Sequence, residues 1–358
     1  MRPFAASSMV VRGGYGIYYD TSVYHPIAMQ MAQQSPLSNS LRVQNSPENP
    51  LTLANGFYAP LSSLRNTFGI DPDFQIGYSQ NWQLSIQNEL PASLVLIGTY
   101  LGIKGTRAQQ QFLPNTFPAG ALYPCSSCPS GFTYLTSNGS SIRHAGQLEL
   151  RRRLSRGFTT TLQYTYAKSI DNAAVGGRNQ GGVLTAQNWL DLTAERALSN
   201  FDQRHLANVL IQYTTVNMRS FLKEWTFSSQ ITAGTGLPLT PIFPSVVNGT
   251  GATGSVRPDY IGGDVLKAGS YTAPAPGRWG NAGRNSITGP SQFSFNASIG
   301  RTFRLGDRFN WDFRVDSTNA LNHPVFPSWV TTVTSAQFGL PSTTNPMRSL
   351  QTTIRLRF

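Results

Sequence analysis

Charge is scarce in this sequence. Only 12% of its 358 residues are Asp, Glu, Lys or Arg, about half the ~25% of an ordinary soluble domain. That argues against a coiled coil or a charge-rich disordered tail. Long apolar runs are missing as well. The longest is about five residues, at 94–98, far from the ~20 that a membrane-spanning helix needs. The first residues, MRPFAASSMVV, lack the apolar core of a secretory signal. This leaves a cytosolic protein or a piece of something longer.

Cysteine is limited to Cys125 and Cys128, in YPCSSCPSG. A CxxC pair serves as a redox motif, half a zinc site or a small disulfide loop. No second CxxC exists, and the four histidines (His25, His144, His205, His323) are scattered, so the four ligands of a structural zinc are not assembled. A βαβ context for thioredoxin-like chemistry is absent. The reading that remains is a surface-loop disulfide in an oxidising compartment.

What the chain does have is period-2 alternation, repeated many times. In 308–317, Phe309, Trp311, Phe313 and Val315 fall on one face, while Arg308, Asn310, Asp312, Arg314 and Asp316 fall on the other. A helix would mix these two sets and a strand separates them. The same pattern runs through 78–90, 292–305 and the C-terminal 350–358. Ten strands are predicted, at 8–20, 78–90, 94–102, 142–154, 158–169, 204–214, 224–235, 292–304, 308–320 and 347–358. Most exceed the usual soluble length of ~5–6 residues and suit the ~9–11 of a membrane strand.

The connections alternate between long (21–77, 103–141, 170–203, 236–291, 321–346) and short (91–93, 155–157, 215–223, 306–307). Short turns at one end, long loops at the other and an even strand count are the marks of an outer-membrane barrel. A soluble sandwich has no reason to gather every long loop at one end. Strand-end aromatics (Tyr18, Tyr19, Trp82, Tyr100, Tyr164, Tyr166, Trp225, Phe358) fit an interfacial girdle. The alternating Ile354, Leu356 and terminal Phe358 read as an outer-membrane insertion signal. The predicted fold class is therefore all-β, an antiparallel up-and-down transmembrane β-barrel with long extracellular loops.

The net charge of +12 comes from 24 arginines and four lysines against 16 acids. Such a balance fits nucleic acid or an anionic membrane surface. Position favours the membrane: windows around the short turns and the terminus (87–95, 147–158, 215–226, 299–310, 353–358) hold +7 of the +12. Arg151, Arg152, Arg153, Arg156, Arg304 and Arg308 are thus expected to form a basic ring at the periplasmic end, against anionic headgroups. No nucleic-acid partner is expected.

Candidate chemistry is thin. Asp191, Glu195 and Asp202 share a loop, with His205 just after it. Catalysis would require convergence of these groups; a hydrogen-bonded loop, with or without calcium, explains them better. His144 lies mid-strand without an assignable serine partner for phospholipase chemistry. GGYGIYY at 13–19 lacks the GK[ST] ending and the following helix of a phosphate loop. Gly13, Gly14 and Gly16 are read instead as relief of crowding in the first strand. No catalytic residue, metal site or cofactor is expected.

Eight stretches carry a family resemblance: RGGYGIYYD (12–20), YSQNWQLSIQNELP (78–91), YTYAKSIDNA (164–173), LSNFDQRH (198–205), AGTGLPLTP (233–241), GNAGRNSITGP (280–290), FRVDSTNALNHPVF (313–326) and LQTTIRLRF (350–358). In this order they resemble the C-terminal barrel region of TonB-dependent outer-membrane receptors, specifically the Oar-like group common in acidobacteria. Ser317 and Thr318 depart from that group's usual aromatic or acidic residues before its NxxNH segment. The resemblance implies a 22-stranded barrel of which 1–358 supplies about ten strands. The plug, the regulatory-like β domain and the TonB contact would lie outside this sequence. It also implies active uptake of an unidentified extracellular ligand. The alternatives are a non-transporting adhesive barrel of the same fold, a small self-contained porin-like barrel, and a soluble β-sandwich binder.

Overall fold

The computed structural model describes residues 8–34, 37–38, 50, 52–54, 68–113, 115–117, 133–172, 186–216, 220–245, 247, 249–251, 256–305 and 309–358. Ten long strands build one wall: β1 (Val10–Tyr19), β2 (Tyr78–Leu90), β3 (Leu94–Phe112), β4 (Thr133–Ser155), β5 (Phe158–Asp171), β6 (His205–Thr214), β7 (Trp225–Gly234), β8 (Gln292–Leu305), β9 (Phe309–Thr318) and β10 (Ser349–Arg357). Each pairs antiparallel with the next in the chain, and β1 and β10 do not meet. The wall is an open meander, and its two outer edges carry no partner strand among the described residues.

Register settles which residues share a face. Leu84 lies opposite Tyr100, Tyr100 opposite Gly146, Gly146 opposite Tyr166 and Tyr166 opposite His205. One residue along, Ser85, Thr99, Gln147 and Thr165 form the neighbouring row. The first row belongs to an apolar outward face, on which Leu84, Ile86, Leu148 and Ile354 stand exposed. The second belongs to a polar inward face. Large apolar side chains left open on a regular sheet are what a hydrocarbon environment selects, since every backbone group of the sheet interior is paired and only side chains meet the lipid.

Three details differ from the sequence expectation. First, the inward face is not polar everywhere: Val95, Ile97, Leu101 and Ile103 share it on β3. Val95, at 1% exposure, sits in register between Glu89 and Arg151 and is shielded there. Second, Tyr18 falls on the inward parity of β1, so it does not join the outward girdle with Tyr19. Third, β3 and β4 run on to Phe112 and back from Thr133, where a loop over 103–141 was expected. Their extensions begin at two register shifts, between Thr106 and Ala108 and between Ala108 and Gln110. Such bulges re-aim a strand. Beyond them Gln110, Phe112, Leu135 and Thr136 are buried, and the apolar-polar alternation that marks a membrane strand ends.

The connections at 91–93 and 155–157 are tight hairpins. Arg156 and Gly157 both take positive φ, +52° and +80°, the two-residue turn whose twist matches the strands. A Cβ on Gly157 would stand 2.0 Å from the Thr214 carbonyl oxygen, so glycine is required there.

The described parts of the long connections are folded. A helix, α1 (Tyr24–Ala32), follows β1. The described residues of 235–291 and 319–348 form a cap over one end of the wall. Leu239, Tyr271, Ala282, Ile287 and Phe338 make its buried apolar cluster, with Val265, Leu266, Trp329 and Val333 packed against it. Two small sheets stiffen it, pairing Pro238–Leu239 with Ile287–Thr288 and Asp259–Tyr260 with Tyr271–Thr272. No helix among the described residues is long and apolar enough to cross a membrane.

Candidate functional site: the mouth of the wall

The outer ends of β1–β6 and the cap meet in a mouth with two parts. The first is a buried polar clasp. Arg257 grips Glu195 with both guanidinium nitrogens, each at 2.7 Å. Their side chains are 3% and 0% exposed. Arg284, fully buried, donates to the Asp171 carboxylate, to the Asp171 carbonyl at 2.7 Å and to the Glu195 carbonyl at 3.0 Å. A planar guanidinium suits such multidentate contact better than an ammonium does.

Neutral groups complete the clasp. The Gln187 amide donates to the Gly280 carbonyl at 2.8 Å and accepts from the Arg257 backbone N–H at 3.2 Å. Asn285, at φ +54°, donates to the Leu198 carbonyl and exchanges hydrogen bonds with the Thr240 hydroxyl. Asp202 accepts the Ser169 backbone N–H. Irregular backbone is thereby satisfied by side chains where no strand ladder is available.

Beside the clasp lies the second part, a cavity of about 590 Å³ on the inward side of the wall. Tyr18 and Asp20 border it from β1, Ser79 from β2, Gln109 and Gln111 from β3, and Asp171 and Phe201 from the clasp side. Its volume is in the ~300–1,000 Å³ range of small-ligand sites. Four aromatic rings, of Tyr18, Tyr19, Tyr78 and Phe201, line it together with hydroxyls and amides. Asp20 is partly committed, since it accepts from the backbone N–H and hydroxyl of Ser22.

The sequence candidates are now placed. Glu195 and Asp202 are clasp members. Asp191 instead caps a turn, accepting from the Thr193 hydroxyl and N–H. The hydroxyl bond holds its carboxyl below the usual range, with backbone N–H groups adding to the effect. His205 does not join them: it faces outward, with Nδ1 2.7 Å from the Tyr164 hydroxyl. His144 makes the equivalent pair with Tyr100, also at 2.7 Å. Arg151, Arg152, Arg153, Arg156 and Arg304 stand at the short-turn end of the wall; Arg153 pairs with Glu89 at 2.6 Å and Arg304 with Glu224 at 3.2 Å. Ile354, Leu356 and Phe358 lie on the outward face of β10 and its end, with Phe358 94% exposed. Arg308, Cys125 and Cys128 lie outside the described residues.

Sequence reasoning missed Asp171, Arg257 and Arg284 as site residues. A signal for two of them was present. Asp171, Leu198 with Asp202, Thr240, and Arg284 with Asn285 come from four of the eight resembling stretches, and the clasp is where those stretches converge.

The model of a family described as "Outer membrane beta barrel domain" matches residues 1–351. No curated protein matches the chain. Among solved structures, the outer membrane transporter YddB from Escherichia coli is similar over 98% of this chain and 38% of its own, at 10% identity and a TM-score of 0.56. The siderophore receptor PiuA from Acinetobacter baumannii aligns over 99% of this chain and 34% of its own, at 9% identity and a TM-score of 0.46. The chain thus spans well under half the length of either structure, and what it shares with YddB is the fold.

Proposed function

Given that this chain belongs to the outer membrane beta-barrel domain family and resides in the outer membrane, we propose that it forms part of the barrel of a TonB-dependent receptor of the Oar-like group. In this reading residues 1–358 supply about ten strands of lumen wall and the extracellular loops that first meet a ligand. The plug, the remaining strands and the contact with TonB come from sequence outside this segment. The role is uptake without catalysis, and it requires no resident cofactor. The arginines at the short-turn end form a periplasmic ring against lipid headgroups, and the C-terminal Ile354, Leu356 and Phe358 guide insertion.

The observation that carries the proposal is the open wall with a polar inward face and a cavity at its long-loop end. A spanning sheet cannot leave edge N–H and C=O groups in hydrocarbon, so β1 and β10 need further strands beside them. A pore wider than a filled eight-stranded barrel then runs beneath the cavity.

Two measurements test this. Reconstituted alone in planar bilayers, the chain is expected to give no stable closed pore; a single reproducible conductance from the chain alone would favour a self-contained porin and sink the fragment reading. For transport, spent medium from cells lacking the whole receptor and from cells lacking TonB is compared by mass spectrometry. Compounds left unconsumed by the first strain should also be left by the second. If deleting the receptor leaves consumption unchanged, the uptake role fails.

A further inference from the structure

The chain has only four lysines, and two of them face outward from the wall near its long-loop end. Register puts Trp82, Gly102, His144 and Lys168 in one outward row across β2–β5. Lys104 stands on the same face two residues beyond Gly102, with Nζ 2.7 Å from the Ser140 hydroxyl. Neither lysine has a carboxylate within ion-pair distance among the described residues. Every outward-parity position of β2–β6 is free of Asp and Glu. Arg204 adjoins them but is already paired: its guanidinium lies 5.8 Å over the Tyr166 ring and 3.5 Å from the Asp202 carboxylate.

Height fixes the environment of these cations. Lys104 is ten residues beyond the first residue of β3, Lys168 ten beyond that of β5, and Arg204 ten before the last residue of β6. At ~3.3 Å per residue and a tilt near 40°, ten residues rise ~25 Å, the height of the apolar band of such a barrel. The cations therefore stand at the extracellular boundary of the membrane. Beneath them Trp82, Tyr100, Tyr164 and Tyr166 form the aromatic belt. Two imidazoles, each fixed by a tyrosine hydroxyl, add polar groups between belt and cations.

We infer that Lys104 and Lys168, with His144 and His205, bind the phosphate-bearing headgroup of an outer-leaflet glycolipid. Charge complementarity selects this occupant. Ammonium groups at a hydrocarbon boundary with no carboxylate on their face require an anion from the membrane itself, and the extracellular leaflet of an outer membrane presents phosphorylated sugar. The aromatic and imidazole rings offer surfaces and hydrogen bonds that fit a sugar better than a bare phosphate. Transport plays no part in the inference, which depends only on the wall's place in the outer membrane.

The test uses the complete protein purified from outer membranes in mild detergent, with native mass spectrometry counting bound bis-phosphorylated lipid A. Replacing both patch lysines (Lys104→Ala with Lys168→Ala) should weaken binding about 30-fold, as should enzymatic removal of the phosphates. The same charge removed elsewhere (Lys223→Ala with Lys267→Ala) should leave it within about twofold. Equal binding of dephosphorylated lipid overturns the inference, and so does unchanged binding in the patch variant. Displacement by phosphatidylglycerol at equal concentration overturns the glycolipid assignment. If the patch variant does not insert, the phosphorylated and dephosphorylated lipids compared on the unaltered protein decide alone.

Discussion

Wall and cap are built on opposite rules. On the wall, Leu84 and Leu148 are 50% and 55% exposed, whereas in the cap Leu239 and Ile287 are 3% and 2% exposed. The difference is one of solvent. Lipid tails are as apolar as leucine, so turning leucine inward gains nothing in a bilayer. Loops bathed in water gain ~25 cal/mol for each Å² of apolar surface they bury. Polar groups reverse in step. The wall turns most of its glutamines, serines and threonines toward the lumen, while the cap and its junction with the wall bury Arg257, Arg284, Glu195 and Asp171 as ion pairs. The wall holds itself by backbone ladders; the irregular junction relies on side chains.

That contrast breaks most visibly at Arg284. Arg284→Ala leaves Asp171 buried and uncompensated, at a cost of ~3–5 kcal/mol. The loss should stay in the junction: limited proteolysis is expected to cut residues 170–203 and 236–291 readily while the strands stay protected. Cleavage within the strands at the same dose would mean that the wall depends on the clasp. Next in size is a pair of charge insertions on adjacent positions of β2. Leu84→Arg, on the lipid side, should destabilise insertion by ~2–4 kcal/mol, whereas Gln83→Arg should lie within ~0.5. Urea titration of protein folded into vesicles separates them, and equal costs would contradict the assigned faces. A smaller effect, ~0.5–1.5 kcal/mol, is expected for Ile287→Val in the cap core, read as an earlier thermal transition of the cap.

The finest probe is pH. Burial chiefly, with the nearby Tyr260 and Asp264, pushes the Tyr271 phenol from its usual 10.0 up to about 12; its hydroxyl donates to the Val265 carbonyl at 3.0 Å. Below pH 10 the tyrosine is neutral folded or unfolded and stability does not respond to it. As pH rises from 10 to about 12, only the unfolded chain releases the proton, so cap stability falls across that window. A Tyr271→Phe variant should lose that alkaline slope. At the outer end of β4, burial first and then Asp71 and Asp73 raise Tyr134 in the same direction, so the Tyr271→Phe comparison isolates the share of the cap.

How much of this was legible depends on how far apart the determining residues lie. The face of Phe309, Trp311, Phe313 and Val315 is written at i, i+2, and the structure pairs Phe313 with Ile354 and Trp311 with Leu356 on that same face. The ends of β3 and β4 were not legible, because GTRAQQQ carries no apolar-polar alternation and the buried positions there include the polar Gln110 and Thr136. The clasp was less legible still. Glu195 looked like a loop carboxylate until Arg257, 62 positions away, closed on it, and Asp171 finds Arg284 across 113 positions.

The sequence by itself determined the strands, their faces, the membrane they suit and the end at which the long loops gather. Each of these follows from side-chain period and chain length, which are local quantities. Only the tertiary structure decided which loop charges neutralise one another, that a cavity opens beside them, and that two of four lysines share an outward patch. Those outcomes depend on register and loop packing, because a buried charge is tolerated only where folding delivers its partner.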